Sequence, residues 1–98
     1  MGMFDYVKVD TNKLPLTSEE KYIGKFNFQT KDFDRTLSTY EITNEGCFEL
    51  TRDGTKQAVK LNPYCIINFY EYIDNVWFEF NAYFRDGKLI EILRFIED

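Results

Sequence analysis

The sequence predicts a mainly β fold: an antiparallel sheet of hairpins that ends in a meander, with one short helix near its start. Three observations carry that reading. Phe, Tyr and Trp make up 18% of the 98 residues, and such side chains favour strands and bury large areas. Turn signals recur between runs of alternating apolar and polar residues: Asn44-Glu45-Gly46, Asp53-Gly54, Asp74-Asn75 and Asp86-Gly87. A chain of this length has material for only one core, so residues 1–98 are read as a single domain.

The opening "MFDYVKVD" reads as a strand with Phe4 and Tyr6 on one side and Val7 and Val9 contributing elsewhere. "LPLTSEEKYIG" reads as a helix of one or two turns, with Thr17 as N-cap, Glu20 as its capping-box partner and Gly24 as the stop. "FNFQTKDFD", residues 26–34, admits two readings. In the first, Gln29, Thr30, Lys31, Asp32 and Asp34 form a polar cluster presented between aromatic anchors. In the second, Asp32 and Asp34 accept bonds from their own following amides and turn the chain, while Phe26, Phe28 and Phe33 pin the corner to the core. The second is preferred, because Asp at a chain reversal needs no ligand to explain it.

"TYEIT", "NEG" and "CFEL" then form a hairpin whose three-residue loop ends in the glycine that a left-handed backbone needs. Tyr40, Ile42, Phe48 and Leu50 share its buried face. Glu41 falls opposite Glu49, a like-charge pair that costs stability unless a cation lies nearby. "RDGT" turns the chain again, into "KQAVKL".

"CIINFYEYI", "VWFEFNAYF" and "KLIEILRFI" predict an antiparallel meander over residues 65–97. With two-residue turns, counting places Cys65 opposite Phe84, Ile67 opposite Ala82 and Phe69 opposite Phe80. Across the second turn it places Phe84 opposite Leu89, Phe80 opposite Leu93 and Phe78 opposite Phe95. Those residues form one apolar face, the core. The other face carries Ile66, Asn68, Tyr70 and Tyr72, then Trp77, Glu79, Asn81 and Tyr83, then Ile90, Ile92, Arg94 and Ile96. There Asn68 meets Asn81, Tyr72 meets Trp77 and Glu79 meets Arg94. Either the N-terminal strand and helix cover this face, or it is a contact surface with Tyr70, Tyr72, Trp77, Glu79, Asn81, Tyr83 and Arg94 as partner-binding residues.

Composition narrows the function. Hydrophobic residues at 44% and charged residues at 30% fit a folded chain. The formal charge is -5 with no histidine, and no basic cluster supplies a footprint for direct nucleic-acid binding. An acidic surface serves solubility or meets a basic protein surface. No apolar run reaches membrane-spanning length, and the start lacks the basic and apolar regions of a signal peptide. Gly2 is a weak myristoylation signal, since Tyr6 stands where Ser or Thr is wanted. Cys47 and Cys65 lack C-x-x-C spacing, which predicts reduced, partly buried thiols and a cytoplasmic setting.

Catalytic signals are sparse. There is no histidine to pair with Ser18, Ser38 or a cysteine, and no phosphate loop or zinc or calcium spacing, so neither a metal nor a cofactor is expected. Carboxylate pairs remain: Asp32 with Asp34, Glu41 with Glu49, and Glu71 near Glu79. The expectation is a protein that is not an enzyme, with a carboxylate-dependent enzyme as a distant third reading.

"MFDYVKV" followed by "LPL", the "FQTKDFD" segment, "YEIT" before Gly46, and the late "INFYEY" and "WFEFNAYFRDGKLIEI" resemble a family of small uncharacterised proteins found widely in bacteriophage, prophage and bacterial genomes. The match runs in order over most of the chain. The segment between "CFEL" and "INFY" is shorter here than in that family. The resemblance brings no activity with it, but it implies a phage-associated setting inside a bacterial host cell. By analogy it implies an accessory protein that binds and inhibits an antiphage defence component, such as a CRISPR nuclease or a nucleotide-signalling system. A ligand- or nucleotide-binding module that stacks its ligand on Tyr70, Tyr72, Trp77 and Tyr83 is the alternative. A second copy of the chain, giving a homodimer, is the other candidate partner.

Overall fold

Every hairpin expected from a turn signal forms, and eight strands join in one sheet. The computed structural model describes residues 3–20, 26–33, 35–52, 54–73 and 75–95. The strands are β1 (Asp5–Val9), β2 (Phe28–Thr30), β3 (Thr39–Ile42), β4 (Phe48–Arg52), β5 (Thr55–Ala58), β6 (Tyr64–Ile73), β7 (Val76–Arg85) and β8 (Lys88–Arg94). Their order across the sheet is β5-β4-β3-β1-β2-β6-β7-β8. A 3-10 turn, Thr11–Lys13, follows β1 and is capped by Asp10, whose side chain accepts from the Asn12 amide. The capping box is present as expected: Thr17 N donates to Glu20 Oε1 at 3.0 Å and Glu20 N to Thr17 Oγ1 at 3.2 Å. The expected helix body and its stop at Gly24 lie outside the described residues.

All pairings are antiparallel except one. β1 runs parallel to β3, with Tyr6 opposite Thr39 and Ile42 opposite Val9, while β2 lies antiparallel on the other side of β1. The β2–β3 connection must therefore cross the start of β1, and the "FQTKDFD" corner makes that crossing. Asp5, fully buried in β1, holds it. Its carboxylate accepts from the backbone amides of Arg35 (2.8 Å), Thr36 (2.9 Å) and Ser38 (2.9 Å). Arg35 and Leu37 both sit at positive φ, +58° and +61°, which non-glycine residues adopt only when their surroundings fix them. Three bonds to one carboxylate supply that constraint.

The corner is structural as expected, but by different bonds. Among the described residues the local turn bond is made by Thr30, which accepts from Asp32 N at 3.3 Å. Among the described residues the bond that Asp32 accepts is from the amide of Asn68 in β6 at 2.7 Å, a strand partner far away in sequence. Asp34 lies outside the described residues. Phe33 pins the corner, stacked on Tyr40 at 4.4 Å and on Phe48 at 5.3 Å between ring centroids.

The core gathers on one side of the sheet. Phe28 meets Phe69 and Phe80 edge-on, and Phe48 meets Phe84. The last contact joins strands from the two halves of the sheet, so the sheet curls around its core. Where the halves meet, Leu89 N donates to Gly46 O at 2.8 Å. Gly46 has φ +85°, the left-handed backbone that the turn requires and that a glycine adopts without strain. Tyr40, Ile42 and Phe48 are buried as expected, and Glu41 lies opposite Glu49. The expected cation is Lys56 on β5, 3.0 Å from Glu41, and this bond raises the lysine's pKa.

The β6–β7 register agrees with the count residue by residue, from Cys65 opposite Phe84 to Ile73 opposite Val76. The β7–β8 register agrees only at its start. Phe84 pairs with Leu89, but Tyr83 then pairs with Glu91, leaving Ile90 as an extra residue in a bulge. Everything beyond is displaced by one position. Asn81, not Phe80, faces Leu93, and Phe80 faces Arg94. Phe95 donates its amide to Glu79 O in place of the expected pairing with Phe78. Because side chains alternate across a strand, this shift exchanges the two faces of β8. Ile92 becomes core at 8% exposure, while Leu93 and Phe95, expected inside, are 47% and 51% exposed.

Candidate functional site

The outer face of β6 and β7 is open. Trp77 is 47% exposed and Tyr72 62%, and Ile66, Leu93 and Phe95 are exposed as well, so the N-terminal strand does not bury this surface. Ile73 pairs with Val76 at the end of the hairpin, and alternation outward from that pair sets Tyr72 opposite Trp77 and Tyr70 opposite Glu79. The rings of Tyr70 and Trp77 stack at 5.2 Å between centroids and 21° between planes.

Polar side chains order the space between the rings. Glu79 accepts from Trp77 Nε1 at 2.9 Å and, through its other oxygen, from Asn68 Nδ2 at 2.9 Å. Asn68 Nδ2 also donates to Asn81 Oδ1 at 3.0 Å. The expected Glu79–Arg94 pair does not form. The bulge carries Arg94 to the inner side, where Nη1 and Nη2 donate to Glu20 at 2.6 and 2.9 Å and the guanidinium lies 5.0 Å from the Phe78 ring centroid. Arg94 is therefore not part of the outer face. Tyr83 is, two residues beyond Asn81, opposite Ile66 and Glu91.

A groove of about 330 Å³ opens beside the stacked pair, lined by Asn27, Gln29, Tyr70, Glu71, Tyr72 and Trp77. It exists because β2 is short and pairs with β6 only at Gln29 and Tyr70. On either side of that pair, carboxylates replace the missing ladder bonds: Asp32 accepts from Asn68 N, and Glu71 Oε2 accepts from Asn27 N. Burial pushes the Glu71 carboxyl up from its ordinary value, opposed by the Asn27 amide. Burial also raises the Tyr70 hydroxyl, helped by the negative charges of Asp32 and Glu79. The Cys65 thiol is raised by burial and by Asp32. Among the described residues the ion pairs are Lys56–Glu41 and Arg94–Glu20, which leaves Asp32, Glu71 and Glu79 without a cation.

The polar cluster expected at residues 29–34 is dispersed. Gln29 lines the groove, Thr30 is buried opposite Asp5, Lys31 is exposed, and Asp32 is tied to β6. Of the expected partner-binding residues, Tyr70, Tyr72, Trp77, Glu79, Asn81 and Tyr83 share one face. Asn27 and Glu71 were not among the expected site residues, since only the β2–β6 pairing, which no local pattern encodes, brings them together. Cys47 and Cys65 are free and half-buried. Among the described residues no cluster of Cys, Asp and Glu is arranged to hold a metal ion, and no helix is long and apolar enough to cross a membrane.

Comparison with protein-family models, curated proteins and solved structures finds no match to this chain.

Proposed function

We propose that this protein is a phage-associated accessory protein that binds and inhibits a component of a bacterial antiphage defence system, anti-CRISPR or other, by direct protein–protein contact. The observation that supports this reading is the open outer face of β6 and β7, where exposed Trp77 and Tyr72 join the half-buried Tyr70 and a fixed Glu79–Asn68–Asn81 network. Large rings with polar tips, held in place by neighbouring bonds, are the residue types that anchor protein interfaces. The phage setting comes from the sequence resemblance.

The test is expression in bacterial hosts carrying defined defence systems, followed by phage challenge. Restored plaque formation with the native chain and its loss with Trp77→Ala, at equal protein level, would support inhibition through this face. Equal plaque formation with and without the protein across those hosts would defeat it.

The groove favours a second reading, a small-ligand module. A nucleotide fits it poorly, because Glu71 lines it and Glu79 borders it, and both would repel a phosphate.

A further inference from the structure

We infer that the groove between β2 and the β6–β7 hairpin is an arginine receptor, taking one guanidinium group presented by the protein partner against Tyr70 and Trp77 and pairing it with Glu71, while Glu79, bonded to Trp77 on the outer face, adds its charge from beside the groove. The inference rests on the docking reading above and specifies the chemistry of its anchor.

Four features of the groove converge on a cation. Its lining contains three aromatic residues, Tyr70, Tyr72 and Trp77, and ring faces carry the negative end of a quadrupole. Among the described residues the same lining contains a carboxylate, Glu71, and no lysine or arginine. Glu71 uses Oε2 for the Asn27 amide, so Oε1 has capacity to accept. Beside the groove, Glu79 is fixed by Trp77 Nε1 and Asn68 Nδ2, yet both donors are neutral. Among the described residues no cation pairs with it, because the β8 bulge takes Arg94 to the other side of the sheet. A half-buried carboxylate held by neutral donors between aromatic rings is a site in want of a counter-charge.

Geometry selects arginine over lysine. Tyr70 and Trp77 hold their ring planes within 21° of each other, and a planar guanidinium lies against ring faces while its fork donates to a carboxylate at the rim. An ammonium is a compact, strongly hydrated point charge that gains less from such a wall. Asn27 and Gln29 on the opposite wall offer side-chain carbonyls to the remaining N–H groups. The net charge of -5 favours the approach of a basic partner surface.

Trp77 is the only tryptophan, so its fluorescence and its indole N–H resonance report on the groove directly. The probes are capped glycine-X-glycine peptides with X as arginine, lysine or citrulline, the neutral isostere, together with free L-arginine. The arginine peptide should perturb both Trp77 signals saturably, the lysine peptide should bind at least about fivefold more weakly, and the citrulline peptide should not saturate. Glu71→Gln and Glu79→Gln should each weaken the arginine peptide by about tenfold or more with folding intact by circular dichroism. Equal binding of arginine and citrulline peptides, or no saturable response to arginine, overturns the inference. Tighter binding of free L-arginine than of the capped peptide overturns the partner as its source. In phage challenge, loss of activity with Trp77→Ala but not with Glu71→Gln or Glu79→Gln keeps the docking face and ends the arginine assignment. Full activity of all three variants ends the docking reading itself.

Discussion

Arg94 is bonded to Glu20 and not to Glu79, the carboxylate that unbroken alternation along β8 would set opposite it. Two N–H groups of its guanidinium meet the two oxygens of Glu20, with the Phe78 ring against its plane. The pair ties the last strand to the capping-box segment, and both side chains are mostly withdrawn from solvent. Charge-assisted, bidentate bonds of this kind are among the stronger polar contacts. Arg94→Ala and Glu20→Ala should each lower stability by about 1.5–3 kcal/mol in denaturant unfolding, and the double variant should cost much less than their sum.

The same pair sets an acid response. The bond from Arg94, with Thr17 contributing, holds the Glu20 carboxyl below its ordinary value of 4.5. A carboxyl whose folded pKa is depressed contributes stability that is full above its unfolded pKa and is lost as pH falls through the folded one. Native stability should therefore decline as pH drops below the ordinary carboxylate range, and Glu20→Gln should flatten that part of the profile. Parallel profiles for the two chains would show that Glu20 does not carry the effect.

The bulge that moves Arg94 makes a paired prediction on β8. Ile92 is inside and Leu93 outside, the reverse of simple counting. Ile92→Lys should destabilise by about 3 kcal/mol or more, because it buries an unpaired charge, whereas Leu93→Lys should fall within about 0.5 kcal/mol of native. The opposite order in thermal or denaturant melts would restore the unbulged register.

These residues also show what the chain makes legible. The β3–β4, β6–β7 and early β7–β8 registers were readable because a turn signal fixes the count and alternation fixes the face. The bulge was not, for two reasons. No glycine or proline marks Tyr83–Phe84 or Ile90, and "KLIEILRFI" is apolar in both phases, so either register offers a credible core. The parallel β1–β3 pairing and the role of Asp5 were invisible for a different reason, since both depend on contacts between segments about thirty residues apart. The candidate face was legible where it lies within one hairpin. The groove was not, because Asn27 and Gln29 reach it only through a strand pairing one residue long.

Asp5 offers the sharpest test of the corner. Its carboxylate satisfies three amides at full burial and holds two residues at positive φ. Asp5→Asn keeps the shape but replaces one acceptor oxygen by a donor, which then faces N–H groups. Unfolding free energy should fall by about 2–4 kcal/mol, and amide exchange should accelerate first at residues 35–38. Phe80→Ala, by comparison, removes a fully buried ring and should cost about 3–5 kcal/mol with no such local onset.

The outer face should separate binding from folding. Trp77 and Tyr72 contribute little to the core, since both are exposed, and among the described residues Trp77 makes the Tyr70 stack and a side-chain bond to Glu79. Trp77→Ala should therefore cost no more than about 1 kcal/mol of stability, as expected for a ring contact and one exposed bond. Its effect on association should be larger, about 2 kcal/mol or more, if these rings anchor an interface. Tyr70→Ala should behave similarly in binding but cost more in stability, because Tyr70 is half-buried at the β2–β6 seam, opposite Gln29. Solution mass distinguishes the occupant: a native dimer that Trp77→Ala converts to monomer would assign the face to a second copy of the chain. A native monomer, with Trp77→Ala equally stable yet inactive in phage challenge, would assign it to a foreign protein. Loss of activity in step with loss of melting temperature across Trp77→Ala, Tyr70→Ala and Phe80→Ala would instead reduce the face to a structural one, and the proposed binding role would fall with it.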